Sequence, residues 1–92
     1  MSNNIIIYST KTCPYCTRAK QLLDAKGASY TELFIDEQPE LFAEMQALCD
    51  NRRTVPQIII NDQAIGGFDD LAKLEHQGML DTLLQQENND ER

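Results

Sequence analysis

The first third of the chain changes between the two main periodicities of secondary structure. Residues 4–9 (Asn-Ile-Ile-Ile-Tyr-Ser) are β-branched and almost wholly apolar, which is typical of a strand buried on both faces. From Pro14 to Lys26 the apolar residues recur at helical spacing, and Gly27 follows as a C-terminal stop. Residues 30–35 predict a second strand. A strand, a helix and a strand within about 30 residues favour a right-handed βαβ unit with parallel strands.

The rest of the chain predicts a helix, a hairpin and two more helical segments. In chain order these are a helix from near Pro39, a strand at 57–60, a polar turn at Asn61-Asp62, a strand at 63–65, a helix opening at Asp69-Asp70, and a final helical stretch at 79–84. The order βαβ-α-ββ-α predicts an α/β fold with a four-stranded mixed sheet flanked by helices on both faces. No linker or repeat is visible, so we expect one domain over residues 1–92 with a frayed polar tail at 85–92.

Charge and hydropathy exclude several classes of protein. The 92 residues carry 8 Lys and Arg against 15 Asp and Glu, a net charge of −7, which argues against binding to a phosphate backbone. The longest aliphatic run has three residues, far short of the roughly 20 that a membrane-spanning helix needs. Residues 1–4 have no basic region of the kind that opens a secretory signal. We therefore expect a cytoplasmic protein with no nucleic-acid or membrane partner.

Two of the three cysteines form the motif Cys13-Pro14-Tyr15-Cys16, which is the most informative short pattern in the sequence. Because Pro14 suits the first position of a helix, the Cys13 sulfur is expected at the helix N-terminus, where free N–H groups and the helix dipole favour a thiolate. Lys11 adds a nearby positive charge. We expect the pKa of Cys13 to lie well below the ordinary value of about 8.5. Cys16 falls one turn later on the same face, within reach of a disulfide. It also begins the apolar stripe, so we expect its thiol to be more buried than that of Cys13.

A structural zinc site is the main alternative for the two cysteines, and it needs two further ligands. Cys49 and His76 are single residues without paired spacing. Cys49 lies on an apolar helical stripe, so we expect it in the core, and His76 precedes a helix-stop glycine, where a surface imidazole suits the helix dipole. We therefore predict a redox-active dithiol and no metal site.

Three separated motifs make the chain resemble the glutaredoxin family of the thioredoxin superfamily, specifically the small bacterial dithiol class. They are Lys-Thr-Cys-Pro-Tyr-Cys at 11–16, Arg-Thr-Val-Pro at 53–56 and Gly-Gly-Phe-Asp-Asp at 66–70. The resemblance extends over residues 5–84, and it implies a thioredoxin-like fold. It also implies a glutathione-dependent thiol–disulfide oxidoreductase that reduces protein disulfides and glutathione mixed disulfides, with Cys13 and Cys16 as the catalytic residues.

The same resemblance implies the reductant and the binding partners of such a protein. Glutathione would serve as the reducing co-substrate, with no tightly bound cofactor. The other partners would be disulfide-containing or glutathionylated proteins, held as transient mixed disulfides. Nothing in the sequence requires more than a monomer.

The resemblance also predicts a set of glutathione-binding residues. Pro56 would be the cis-proline that faces the dithiol, and the Val55 backbone would pair with an extended peptide. Cationic side chains would bind the glycyl carboxylate, while the helix start at 68–70 would bind the γ-glutamyl carboxylate and Asp70 the ammonium group. The full set is Lys11, Tyr15, Arg53, Thr54, Val55, Pro56, Gly67, Phe68, Asp69 and Asp70. Plainer roles stay open for some of them: solvated cations, a strand-entry proline and helix-capping aspartates.

Two positions depart from the family pattern. Phe68 stands where many relatives carry a cysteine or a small residue, which changes packing beside the predicted glutamyl site but removes no catalytic group. The loop at 48–53 lacks the glycine that usually precedes the Arg-Thr-Val-Pro stretch. Because Asn51 tolerates a left-handed backbone, we expect only a local change there.

Two other functions are compatible with a Cys-x-x-Cys motif in this fold. The first is a thioredoxin-like hydrogen donor, reduced by a flavoprotein and indifferent to glutathione, which would not need Lys11, Arg53 or the Asp69-Asp70 pair. The second is a dimer that holds an iron–sulfur cluster through Cys13 of each chain and glutathione. The family members that do this usually carry another residue in place of Pro14.

Overall fold

The computed structural model describes residues 4–85 and the side chains of residues 4–84. Its elements, in chain order, are β1 (Ile5–Ser9), α1 (Pro14–Ala25), β2 (Thr31–Phe34), α2 (Pro39–Leu48), β3 (Gln57–Ile60), β4 (Gln63–Gly66), α3 (Phe68–His76) and α4 (Met79–Gln85). The tail predicted to fray at 85–92 lies outside the described residues, apart from the backbone of Gln85, which ends α4. The single domain over 1–92 stays a prediction for the same reason.

The four strands form one mixed sheet in the order β2-β1-β3-β4. β1 runs parallel to β2 and antiparallel to β3, and β3 pairs with β4 in an antiparallel hairpin. The predicted βαβ unit and the predicted four-stranded mixed sheet are therefore confirmed. The pairing of Tyr8 with Gln57 places the carboxyl end of β1 beside the start of β3.

The two central strands bury apolar side chains on both faces of the sheet, because successive strand residues point in opposite directions. On one face the core consists of the fully buried residues Ile5, Ile7, Ala19, Leu23, Ile58, Ile60, Leu71 and Leu80, which bring α1, α3 and α4 against the sheet. On the other face α2 packs through Met45, and the loop residue Cys49 packs with it, against Tyr8 and Ile59. Helices thus cover both faces, as predicted.

Left-handed residues shape the two polar loops. Asn61 and Asp62 have φ values of 50° and 69°, and two positive φ values are typical of the tight turn that joins a hairpin. Asn51 has φ 63°, which confirms the left-handed backbone expected there, and Asp50 joins it at φ 60°. Short polar side chains make this conformation accessible without glycine.

The start of α3 differs slightly from the prediction. The backbone N–H of Gly67 donates to Asp70 Oδ2 at 3.0 Å, so Gly67 caps the helix and Phe68 is its first residue. The helix therefore begins one residue before the predicted Asp69. β4 likewise continues through Gly66, one residue further than predicted.

The core on the α1 face should dominate the stability of the fold. Leu23 is 0% exposed, so Leu23→Ala should lower the free energy of unfolding by about 2–5 kcal/mol, because it removes buried methyl groups and leaves a cavity. Leu48→Ala is the matched control: it makes the same truncation at a helical leucine that is 52% exposed, and it should change stability by about 0.5 kcal/mol or less. Urea unfolding followed by circular dichroism measures both. Equal losses in the two variants would contradict this account of the core.

Candidate active site

The first turn of α1 holds both cysteines of the motif. Cys13 caps the helix with an extended backbone, and its Sγ accepts a hydrogen bond from the N–H of Cys16 at 3.1 Å. Pro14 takes the next position, where its missing N–H costs no helical hydrogen bond. Cys13 is half-buried, whereas Cys16 is only 1% exposed. The predicted difference in burial between the two sulfurs is therefore present.

Cys13 and Cys16 are joined by a disulfide bond, and their Cα atoms lie 5.2 Å apart. The carbonyl oxygen of Val55 lies 3.8 Å from Cys13 Sγ. The Val55–Pro56 peptide bond is cis, as the family resemblance implied. The loop before β3 thus lies directly against the disulfide.

A partly buried polar network fixes the end of the strand that leads to Cys13. Ser9 is fully buried at the end of β1, and its hydroxyl donates to Glu32 Oε2 at 2.7 Å. The same carboxylate oxygen pairs with Lys20 Nζ of α1 at 2.9 Å. Because these three side chains connect β1, β2 and α1, the short segment between Ser9 and Cys13 is anchored on both sides.

A cleft of about 300 Å³ is formed by the Val55–Pro56 loop and the starts of α1 and α3, close to the lower limit for small-molecule sites. Its lining residues are Tyr15, Arg52, Thr54, Val55, Pro56, Gln57, Gly67, Phe68, Asp69 and Asp70. Eight of the ten predicted glutathione residues are among them. The other two, Lys11 and Arg53, do not line the cleft, and Arg52 and Gln57 were missed by the sequence analysis.

Lys11 is bound to the turn that follows β2. Its Nζ forms a 2.7 Å ion pair with Glu37 Oε2, and its backbone N–H donates to Asp36 Oδ2 at 3.2 Å. The hydrogen bond to Glu37 raises the pKa of Lys11 above its ordinary value. In this structure Lys11 therefore connects the loop before Cys13 to the turn after β2.

Arg52 is the cation that reaches the cleft. Its Nη1 lies 3.4 Å from Asp70 Oδ2, the oxygen that also accepts the N–H of Gly67. Both side chains lie over Gly66, whose φ of +119° and lack of a Cβ leave room for them. The family resemblance indicated Arg53, whereas the structure places Arg52 in the cleft. Which of two adjacent arginines reaches the cleft depends on how the loop leaves Asp50 and Asn51.

Gln57 supports the loop from beneath. Its side chain is 1% exposed, and Nε2 donates to the Thr54 carbonyl oxygen at 2.9 Å and lies 3.3 Å from Thr54 Oγ1. Among the described residues Oε1 has no hydrogen-bond partner. One signal in the sequence could have identified this residue. Gln57 is the polar first residue of a predicted strand whose other residues are all isoleucine.

The remaining candidates lie away from the cleft or in the core. Cys49 is 2% exposed, as predicted, and burial raises the pKa of its thiol. His76 is exposed at the end of α3. Within residues 4–85 no three His, Cys, Asp or Glu side chains are grouped so as to hold a metal ion. No helix in that range is both long and apolar enough to span a membrane.

Comparisons with known proteins agree with this architecture. The glutaredoxin family model matches residues 5–65. The chain belongs to the glutaredoxin family. It is 52% identical over 81 residues to glutaredoxin 3 of Escherichia coli K12, covering 88% of this chain and 96% of that protein. It is 50% identical over 80 residues to a glutaredoxin of Pseudomonas aeruginosa, covering 87% and 94% of the two chains.

Solved glutaredoxins share the fold. The solution structure of the Brucella melitensis glutaredoxin matches with a TM-score of 0.79 and 49% identity, covering 91% of this chain and 90% of that one. A buckwheat glutaredoxin–glutathione complex matches with a TM-score of 0.80 and 33% identity, covering 89% of this chain and 76% of that one. The fold is therefore thioredoxin-like. Family membership and the Cys13–Cys16 disulfide identify a thiol–disulfide oxidoreductase with a redox-active Cys-x-x-Cys motif.

Cys13 and Cys49 of the reduced glutaredoxin should differ strongly in their reactivity toward alkylating reagents. Iodoacetamide should modify Cys13 first, with a half-maximal rate at a pH well below 8.5, because the N-terminus of α1 stabilises its thiolate. Cys49 should stay unmodified in the folded protein, because burial both shields its thiol and raises the pKa. Peptide mass spectrometry at successive times and pH values measures this order, with the urea-unfolded protein as the control. Labelling of Cys49 at the same rate as Cys13 would contradict the assignment.

Proposed function

We propose that this glutaredoxin is a glutathione-dependent thiol–disulfide oxidoreductase that reduces protein disulfides and glutathione mixed disulfides. The observation that carries the proposal is the cleft beside Cys13, which combines a cation, a carboxylate and a helix N-terminus. Glutathione has two carboxylates, one ammonium group and one thiol, and each has a chemical counterpart there. The glutathione complex of the buckwheat relative supports the same ligand.

Different residues of the cleft would bind different chemical groups of glutathione. The thiol of glutathione would face Cys13, and its peptide backbone would pair with Val55, beside the cis-proline Pro56. The backbone N–H groups at the start of α3 would bind the γ-glutamyl carboxylate, and Asp70 would pair with the ammonium group. Arg52 would leave Asp70 to pair with a carboxylate of the ligand, so that one internal ion pair is exchanged for two with glutathione. Tyr15, Thr54, Gly67, Phe68 and Asp69 complete the wall of the site.

This assignment revises the cations expected from the sequence. We give carboxylate binding to Arg52 in place of Arg53, because only Arg52 lines the cleft. Lys11 does not line the cleft and is paired with Glu37 outside it. We therefore give Lys11 the role of holding the loop before Cys13.

The monothiol reaction needs Cys13 alone. The Cys13 thiolate attacks the glutathione sulfur of a glutathionylated protein, forms the Cys13–glutathione disulfide and releases the protein thiolate, which takes a proton. A second glutathione thiolate then attacks the glutathione sulfur of this adduct, which yields oxidised glutathione and regenerates the Cys13 thiolate. A low pKa makes Cys13 a good leaving group in this second step.

The dithiol reaction also uses Cys16. Cys13 attacks a protein disulfide, and the Cys16 thiolate then attacks the Cys13 sulfur, which releases the reduced protein and leaves the Cys13–Cys16 disulfide seen in the structure. Two glutathione molecules reduce that disulfide in turn. Glutaredoxin couples lie near −200 to −230 mV, so a cytosolic glutathione pool can drive the reduction. We accordingly propose a monomeric, single-domain protein that works in the cytoplasm without a tightly bound cofactor.

Replacing Cys16 separates the two reactions. Cys16→Ser should retain most of the reduction of a glutathionylated peptide, because Cys13 and glutathione suffice for it, and should lose the reduction of a protein disulfide. Both rates are measured with glutathione, glutathione reductase and NADPH, and Cys49→Ser serves as the control that removes an uninvolved thiol. If wild type and Cys16→Ser both fail to turn over the peptide while the dithiol stays redox-active, a thioredoxin-like donor replaces this proposal.

The two adjacent arginines provide a matched test of the cleft. Arg52→Gln should raise the KM for a glutathionylated peptide by roughly fivefold to tenfold, or about 1–1.4 kcal/mol. This is less than the about 1.5–3 kcal/mol of a charged hydrogen bond, because the Arg52 side chain is 48% exposed to solvent. Arg53→Gln removes the same charge from the neighbouring position and should change KM less than twofold. Steady-state kinetics at fixed ionic strength measures both. A larger effect at Arg53 would return carboxylate binding to that residue.

A further inference from the structure

An aromatic pair crosses the cleft between the two helix starts. The rings of Tyr15 and Phe68 are stacked, with centroids 6.2 Å apart and an interplanar angle of 30°. Tyr15 is the second residue of α1, two positions after Cys13, and Phe68 is the first residue of α3. The pair therefore connects the helix start that carries the sulfur to the helix start that would bind the γ-glutamyl carboxylate.

The two rings are held very differently. Phe68 is half-buried and packs against the core cluster on the α1 face. Tyr15 is 53% exposed, and apart from Phe68 its ring meets Arg18, whose guanidinium carbon lies 5.3 Å from the ring centroid. Arg18 is itself exposed, so it cannot fix the ring strongly. The anchored ring of Phe68 is therefore what sets the position of the tyrosine ring.

We propose that Phe68 is a positioning residue that acts through Tyr15 to determine how well this protein binds a glutathione moiety. It fixes the tyrosine ring as the wall of the cleft beside Cys13, so the wall exists before the ligand arrives. This inference rests on the proposed function. It assigns the Phe68 side chain a role separate from that of its backbone N–H at the start of α3.

The expected effect follows from the strength of such a contact. Stacked aromatic pairs contribute a modest free energy beyond their buried area, which corresponds to about three- to tenfold in an equilibrium constant. Phe68→Leu should thus raise the KM for a glutathionylated peptide about three- to tenfold with little change in kcat. Phe68→Tyr keeps the ring and should stay within twofold of wild type.

A double-mutant cycle separates positioning from packing. If Phe68 acts through Tyr15, Phe68→Leu raises the KM much less in the Tyr15→Leu background than in wild type, since the ring to be positioned is already gone. Phe42→Leu, a half-buried phenylalanine on the opposite face of the sheet, is the control for loss of an aromatic ring.

The outcomes distinguish this inference from the proposed function. If wild type does not reduce the glutathionylated peptide, the proposed function fails. If wild type reduces it and Phe68→Leu keeps the wild-type KM, or if the Tyr15 and Phe68 effects are additive, only the positioning role is overturned. Ring-to-ring nuclear Overhauser effects in wild type give a readout independent of variant stability: we expect contacts between Tyr15 and Phe68, and their absence overturns the inference even if Phe68→Leu does not fold.

Discussion

The antiparallel pairing of β1 with β3 is the constraint on which the rest of the structure depends. Both strands are rich in isoleucine and are covered by helices on both faces. A slip of one residue would send each side chain to the opposite face and would break the hydrogen bond of the buried Ser9 to Glu32. The fixed register sets Tyr8 beside Gln57. The segment that leaves β1 toward Cys13 and the Val55–Pro56 loop that enters β3 are thereby brought to the same end of the sheet. Residues with no chemistry of their own thus place the reactive ones.

The sequence allowed the helices, the strands, the mixed sheet and most residues of the cleft to be predicted, but not the directions in which individual charged side chains point. Apolar runs identified the strands, and Pro14 and Gly27 identified the limits of α1 to within one residue, because each acts on the backbone beside it. The choice of Arg52 over Arg53 depends on the preceding left-handed residues, and composition does not encode where a side chain points. The Lys11–Glu37 ion pair likewise joins residues 26 positions apart. The sequence therefore predicted that a positive charge lies at the cleft, but not which residue provides it.

The arrangement of the cleft is also compatible with the proposed binding of glutathione, an anionic peptide, by a chain with a net charge of −7. The N-termini of α1 and α3 both face the cleft, and their N–H groups supply positive potential without any net charge. Arg52 and Asp70 neutralise each other when no ligand is bound. The site thus combines dipoles with one ion pair and does not require a basic surface around it.

The burial of Cys49 links the stability of the core under α2 to the correct pairing of cysteines in disulfide exchange. Cys49 is enclosed by Tyr8, Met45 and Ile59 under α2, on the face of the sheet opposite α1. A protein that exchanges disulfides repeatedly meets many reactive sulfurs, and packing alone keeps this thiol away from them. Any fluctuation that lifts α2 from the sheet would admit a competing thiol to the exchange. Mutations that loosen this small core would therefore show themselves first as wrongly paired disulfides, before any visible loss of folded protein.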